Sequence, residues 1–182
     1  MKSKEEKVIE LFFNNPTKEW HFEDILKEAK ITRSKAGRWL KKFTKQKLIN
    51  RVKEKGRMPY YACNYGSPVY KNAKKLFALN QLYESGFLNH LGSLEKARTV
   101  IVFGSFSKSD WYKNSDIDIF IYGDPEGLSI TKYELKLHRD AQLFICRNKD
   151  ELNNFGKGLI RNILKGNLLK GDLDFLREGT NA

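Results

Sequence analysis

Residues 100–122 read VIVFGSFSKSDWYKNSDIDIFIY, and this stretch decides the second half of the chain. In TVIVF (99–103) three of the five residues are β-branched and all suit a buried strand. Gly104-Ser105 then predicts a turn into a helix. From Asp116 to Tyr122 the pattern alternates: Asp116, Asp118, Phe120 and Tyr122 face one way, and Ile117, Ile119 and Ile121 the other. Strand geometry puts the two carboxylates on one face, roughly 7 Å apart. Aspartate is depleted in strands, and like charges side by side destabilise, so a cation is expected to compensate them. A divalent metal, held by a few carboxylates together with substrate phosphates, is the simplest candidate. The Gly-Ser turn supplies the complementary part. Backbone N–H groups and a hydroxyl there can receive an anion, and glycine lets a phosphate approach the backbone.

The string Gly104-Ser105, ten residues, Asp116-Ile117-Asp118 resembles the signature of the polymerase-β-like nucleotidyltransferase superfamily, and above all its minimal, stand-alone members. That family carries a third carboxylate on a later strand. Here LHRDAQLFIC offers Asp140 as the matching position, sharing a face with Gln142 and Phe144. The resemblance covers about residues 86–170. It implies that Asp116, Asp118 and Asp140 ligate Mg2+ or Mn2+, with Asp140 also the general base. It further implies that Gly104, Ser105 and Ser115 serve the nucleoside triphosphate. Minimal relatives often act as antitoxins beside HEPN-type toxins and modify a tyrosine on the partner, so a toxin-like protein partner is an implied acceptor. Many relatives have a glycine where this chain has Ser109, which bears on how the helix packs. Two other readings compete. DxD phosphatases place Thr or Ser two residues after the second aspartate, where Phe120 stands here. An edge strand with solvent-facing aspartates would leave the Gly-Ser turn and Asp140 unexplained.

The net charge of +12 over 182 residues is unevenly spread. Residues 1–65 hold 17 basic and 8 acidic side chains, a balance of +9 that leaves +3 for the remainder. Between Arg33 and Arg57 eleven Lys/Arg face one acid, Glu54. A phosphate-rich partner is the natural inference. Apolar spacing predicts helices over 4–13, over HFEDILKEAK and over about 33–46, with Thr32 as N-cap of the last. LINRVKEKGRMPYYACN reads as a hairpin with its tip at 54–57. Three helices and a basic hairpin resemble a winged helix-turn-helix over about residues 4–65. That resemblance implies duplex DNA as partner, with Arg33, Ser34, Lys35 and Arg38 nearest the bases. Lys41, Lys42, Lys45, Arg51, Lys53, Lys55 and Arg57 would then meet phosphates. Many helix-turn-helix proteins bind as homodimers, though no dimer seam stands out in this sequence.

Gly66-Ser67-Pro68 marks a break, with Ser67 as N-cap and Pro68 opening a connecting helix. On that helix Val69, Ala73, Leu76, Phe77 and Leu82 are expected inward, and FLNHLGSLEKA continues as a further helical stretch. In the tail, Leu159, Ile160, Ile163 and Leu164 are expected on one helical face, with Gly166 as C-cap. Cys63 and Cys146 are expected as buried thiols, and His21, His90 and His138 as structural. No apolar run approaches the roughly 20 residues of a bilayer span, and the N-terminus lacks a secretory apolar segment, so a cytoplasmic protein is expected.

The fold class expected is therefore α+β. A winged helix domain (1–66) and connecting helices (67–97) precede a nucleotidyltransferase domain (98–182) whose mixed sheet is flanked by helices. The function expected is Mg-dependent transfer of a nucleoside monophosphate from an NTP to an acceptor hydroxyl. The alternative is a DNA-binding regulator whose transferase domain is a nucleotide sensor or inactive.

Overall fold

The computed structural model describes residues 3–177. The chain divides into two compact units, each with its own core. One is formed by the chain up to Lys74 together with Trp111–Lys113, the other by Lys75–Asp110 and the chain from Asn114 onward.

In the first unit, α1 (Lys4–Asn14) starts with a capping box. The Ser3 hydroxyl accepts from the Glu6 N–H at 3.1 Å, and the Glu6 carboxylate accepts from the Ser3 N–H at 2.6 Å. Val8, Ile9, Phe12 and Phe13 form its buried stripe. Helices α2 (Phe22–Ala29) and α3 (Arg33–Lys45) add Ile25, Ala29, Ala36, Leu40 and Phe43 to the core. Thr32 is the N-cap residue of α3, but its hydroxyl makes no capping bond. The hairpin is β2 (Ile49–Val52) against β3 (Tyr60–Cys63), antiparallel. On the other side of β3 lies β1 (Trp20–His21), a two-residue strand too short to leave any periodicity in the sequence. Cys63 is only half-buried, its thiol donating to the Pro16 carbonyl at 2.7 Å, whereas Cys146 is buried as expected.

Helix α4 (Pro68–Ser85) corrects one expectation. Val69 and Leu76 are exposed, and the buried row is Tyr70, Lys74, Ala78 and Leu82, spaced by four. Lys74 hides that row from a reading by hydrophobicity. Its ammonium donates to the Trp111 carbonyl at 2.6 Å and lies 4.6 Å from the Trp111 ring centroid and 6.0 Å from that of Tyr70. A buried ammonium is tolerable only when hydrogen-bonded, and the aromatic faces add cation–π attraction. The Lys113 N–H donates to the Asn14 carbonyl at 2.9 Å, so residues 111–113 are tied into the first unit at two points.

The second unit is built on a four-stranded sheet in the order β6-β5-β4-β7. Strands β4 (Ala97–Phe103) and β5 (Ile117–Gly123) are antiparallel, and β5 and β6 (Ala141–Cys146) are parallel. The parallel pair needs a crossover, which α7 (Thr131–Leu137) provides. β7 (Asn167–Lys170) completes the sheet antiparallel to β4. β5 is buried on both faces from Ile119 onward, so the face that carries the aspartates is polar only at its start. Further along, Phe120 and Tyr122 join Ile101, Phe103, Cys146, Ile163 and Phe175 in the core.

The tail departs from expectation in two ways. On α8 (Lys157–Leu164) only Ile163 is fully buried, and Leu164 is exposed. Gly166 does not cap that helix; Lys165 does. A Cβ on Gly166 would stand 2.6 Å from Ile101 Cγ2 and 2.7 Å from Phe103 Cβ, so glycine is required for β7 to run beside β4.

Beyond α5 (Phe87–Gly92), the Ser129 N–H donates to His90 Nε2 at 3.0 Å, which needs a neutral ring. Burial, then the charge of Lys132, lowers the His90 pKa. Neutral His90 therefore contributes stability above the ordinary histidine pKa, and the contribution is lost as pH falls through the lowered one. A denaturant series from pH 7.5 to 5 should show this loss, about 0.5–1 kcal/mol for one hydrogen bond. His90→Gln, which keeps an acceptor but cannot protonate, should flatten that segment.

Candidate active site

Antiparallel pairing brings Phe103 opposite Asp118, so the chain leaving β4 turns directly beside the second aspartate. Gly104 takes φ +74 at this point, and a Cβ built on it would lie 1.8 Å from Asp118 Oδ2. The glycine is thus required by the carboxylate already present, a reason the sequence does not show. Gly104 opens α6 (Gly104–Lys108), a single turn closed when the Ser107 hydroxyl donates to the Gly104 carbonyl at 3.0 Å. A helix this short carries little macrodipole, so anion binding here rests on local N–H groups and Ser105.

Ser109 ends the turn at φ +65, in the left-handed region that favours glycine. Serine at this position is thus held at a conformational cost of about 1–2 kcal/mol, partly offset by its hydroxyl bond to the Lys108 carbonyl. Ser109→Gly should raise stability by roughly 0.5–1 kcal/mol in urea melts.

Asp118 is half-buried while Asp116 is exposed. Burial, then the charge of Asp116, pushes the Asp118 carboxyl up, and Lys108 pulls the other way. The desolvation has a visible source. Phe103 and Phe144 stand on the strands either side of β5 with ring centroids 5.1 Å apart, and they share the Asp118 face. Lys108, which reading from sequence missed, donates to Asn162 Oδ1 at 3.0 Å. Its position four residues after Gly104 was the available signal.

Asp140 precedes β6, and its carbonyl accepts from the Ile117 N–H at 2.9 Å. Since Ile117 pairs with Ala141, Asp140 stands level with Asp116, exposed, and Gln142 stands level with Asp118. The residue beside the inner aspartate is therefore a carboxamide. Among the described residues no group of three or more His, Cys, Asp or Glu is gathered to hold a metal ion. The Asp116–Asp118 pair itself suits a hard divalent cation: both supply oxygen, and the repulsion that raises Asp118 is what a cation would relieve. The Ser115 carbonyl accepts from Arg139 Nη1 at 3.0 Å, so Ser115 supports the start of the strand through its backbone.

In the first unit α3 turns Ala36, Leu40 and Phe43 inward and exposes Arg33, Ser34, Lys35, Arg38, Lys41, Lys42 and Lys45. Arg51, Lys53, Lys55 and Arg57 are exposed on or near the hairpin. Three of these cations are already engaged. Arg33 pairs with Glu23 at 2.8 Å, Lys42 with Glu5 at 2.6 Å, and Arg57 with Glu54 at 2.7 Å and Glu19 at 3.2 Å.

No helix among the described residues is long and apolar enough to cross a membrane. No curated protein and no solved structure matches the chain. Residues 88–172, which hold the Gly-Ser turn, both aspartates and Asp140, match the family model described as Polymerase beta, Nucleotidyltransferase, and this supports a nucleotidyltransferase domain of polymerase-β type over that span.

Proposed function

We propose that the second unit transfers a nucleoside monophosphate from a nucleoside triphosphate to an acceptor hydroxyl, with Mg2+ or Mn2+ as the working ion. The observation that carries this reading is the seating of Asp118 against Gly104, which fixes one carboxylate of the Asp116–Asp118 pair beside the turn that would hold phosphate. Asp116 and Asp118 would hold the ion, which neutralises triphosphate charge. Gly104 and Ser105 present donors to the phosphates, and Lys108 adds a positive charge beside them. The acceptor oxygen forms a bond to the α-phosphorus, the bond from that phosphorus to the α–β bridging oxygen breaks, and pyrophosphate leaves. The hydroxyl proton passes to the exposed carboxylate of Asp140. A tyrosine on a toxin-like partner is the acceptor class that the resemblance favours. The test is pyrophosphate release with NTP, Mg2+ and hydroxyl-bearing acceptors, including tyrosine peptides. Release that requires both Mg2+ and acceptor supports the reading; none with any acceptor defeats it.

Gln142 favours a second reading. A carboxamide beside Asp118, with Asp140 standing out at the level of Asp116, suits a domain that binds nucleotide and signals without transfer. NTP binding without pyrophosphate release is its signature.

The first unit, in this proposal, is a winged helix that binds duplex DNA through α3 and the hairpin. Its exposed basic row supports this. Lys41 and Lys45 are the cleanest probes, because Lys42 is paired with Glu5. Replacing both by Ala should lower the slope of log affinity against log salt by about 1–2. An unchanged slope rejects the assigned face.

A further inference from the structure

Three pieces of chain must hold register for the site above to exist: the α6 turn, the approach to Asp116 and the start of β6. Arg139 touches all three. It is 8% exposed, and arginine is rarely so buried without a reason. Its Nη1 donates to the Ser115 carbonyl, the residue immediately before Asp116, at 3.0 Å. Its guanidinium carbon lies 5.3 Å from the ring centroid of Phe106, the buried residue two beyond Gly104. Asp140 follows it in sequence, and there the backbone is pinned from both sides. The Asp140 carbonyl accepts from Ile117, and the Glu134 carboxylate accepts from the Ala141 N–H at 2.9 Å. The Arg139 N–H donates to the Glu134 carbonyl at 3.2 Å.

We propose that Arg139 is a positioning residue, setting Asp116 against both the Gly104-Ser105 turn and Asp140. The inference rests on the transferase reading only for the reaction that this register serves. Its chemistry is specific to arginine: a planar fork stacks on one group while donating to another, which a lysine ammonium does not do. The desolvation of such a cation offsets much of what its hydrogen bonds contribute to stability. Retaining arginine at 139 therefore serves geometry.

That contrast defines the experiment on the full chain. Arg139→Met keeps volume and removes the fork; Arg139→Lys keeps a donor and removes the stack. Three quantities are read: melting temperature, Mn2+ affinity from the paramagnetic resonance of free ion, and hydrogen exchange over residues 115–118. Arg139→Met should keep its melting temperature within a few degrees, bind Mn2+ about tenfold more weakly and exchange faster over 115–118. Arg139→Lys should fall between it and the wild type. A folded Arg139→Met with wild-type Mn2+ affinity and wild-type exchange overturns the proposal. If Arg139→Met does not fold, Arg139→Lys decides by the same two readings. If the wild type binds no Mn2+, the metal-dependent transferase reading fails. Exchange over 115–118 then judges Arg139 alone: faster in Arg139→Met upholds the positioning role, and unchanged rejects it.

Discussion

Gly104→Ala should lose roughly 2–4 kcal/mol of stability and all transferase activity. About 1–2 kcal/mol comes from holding an L-residue at φ +74, and the rest from overpacking, because the new Cβ would lie 1.8 Å from Asp118 Oδ2. In a unit of about 100 residues that is a fall in Tm of roughly 10–30 °C. Gly127→Ala provides the control: φ is +82, yet nothing lies within 4 Å of the added Cβ, so it should lose the backbone part alone. Removing the obstacle should rescue the first variant. In an Asp118→Ala background only the 3.2 Å contact with the residue-118 Cβ remains, so Gly104→Ala should cost clearly less than in the wild type, a coupling that thermal or urea unfolding of the four proteins of the cycle measures. Additive losses would show that the glycine is not held there by the carboxylate.

Asp118→Asn should move stability and activity in opposite directions. In the absence of divalent ions the wild-type carboxylate is disfavoured by burial and by Asp116, so the amide should stabilise. The gain is of the order of 0.5–1 kcal/mol once solvent screening of a half-buried group is counted, or roughly 2–8 °C in Tm. Nucleotide transfer should fall at least about a hundredfold, since a fixed charge that stabilises the transition state is lost. Opposed signs of this kind mark a residue kept for function at the expense of stability. A destabilised but active Asp118→Asn would place the chemistry elsewhere.

Much of the second unit could be read directly. The runs 99–103 and 116–122 have the composition and alternation of strands, and Gly104 marks the turn between them. The neighbour of Asp118 could not be read, because register between β5 and β6 is set by the crossover through α7 and not by either strand alone. Reading along β6 identifies Asp140; pairing across the sheet reveals Gln142 beside the inner aspartate. Lys74 and Gly166 misled for separate reasons. A buried lysine breaks the apolar row of α4, so the exposed Val69 and Leu76 looked like the core face. Gly166 has the composition of a helix cap, while its actual role is to let β7 pass close to Ile101 and Phe103. Ser109 shows a third limit: its left-handed backbone follows from the turn around it, and nothing in the residue itself signals that conformation.

In the proposed reaction the Gly104–Asp118 corner works on the α-phosphate of a nucleoside triphosphate. NTP labelled on the α-phosphate and NTP labelled on the γ-phosphate, each given to wild type and Asp118→Asn with Mg2+ and an acceptor, separate this reaction from its alternatives. Wild type should attach the α-label to the acceptor and release the γ-label as pyrophosphate, and Asp118→Asn should do neither. Attachment of the γ-label, or α-label transfer undiminished in Asp118→Asn, would overturn the assignment of this corner.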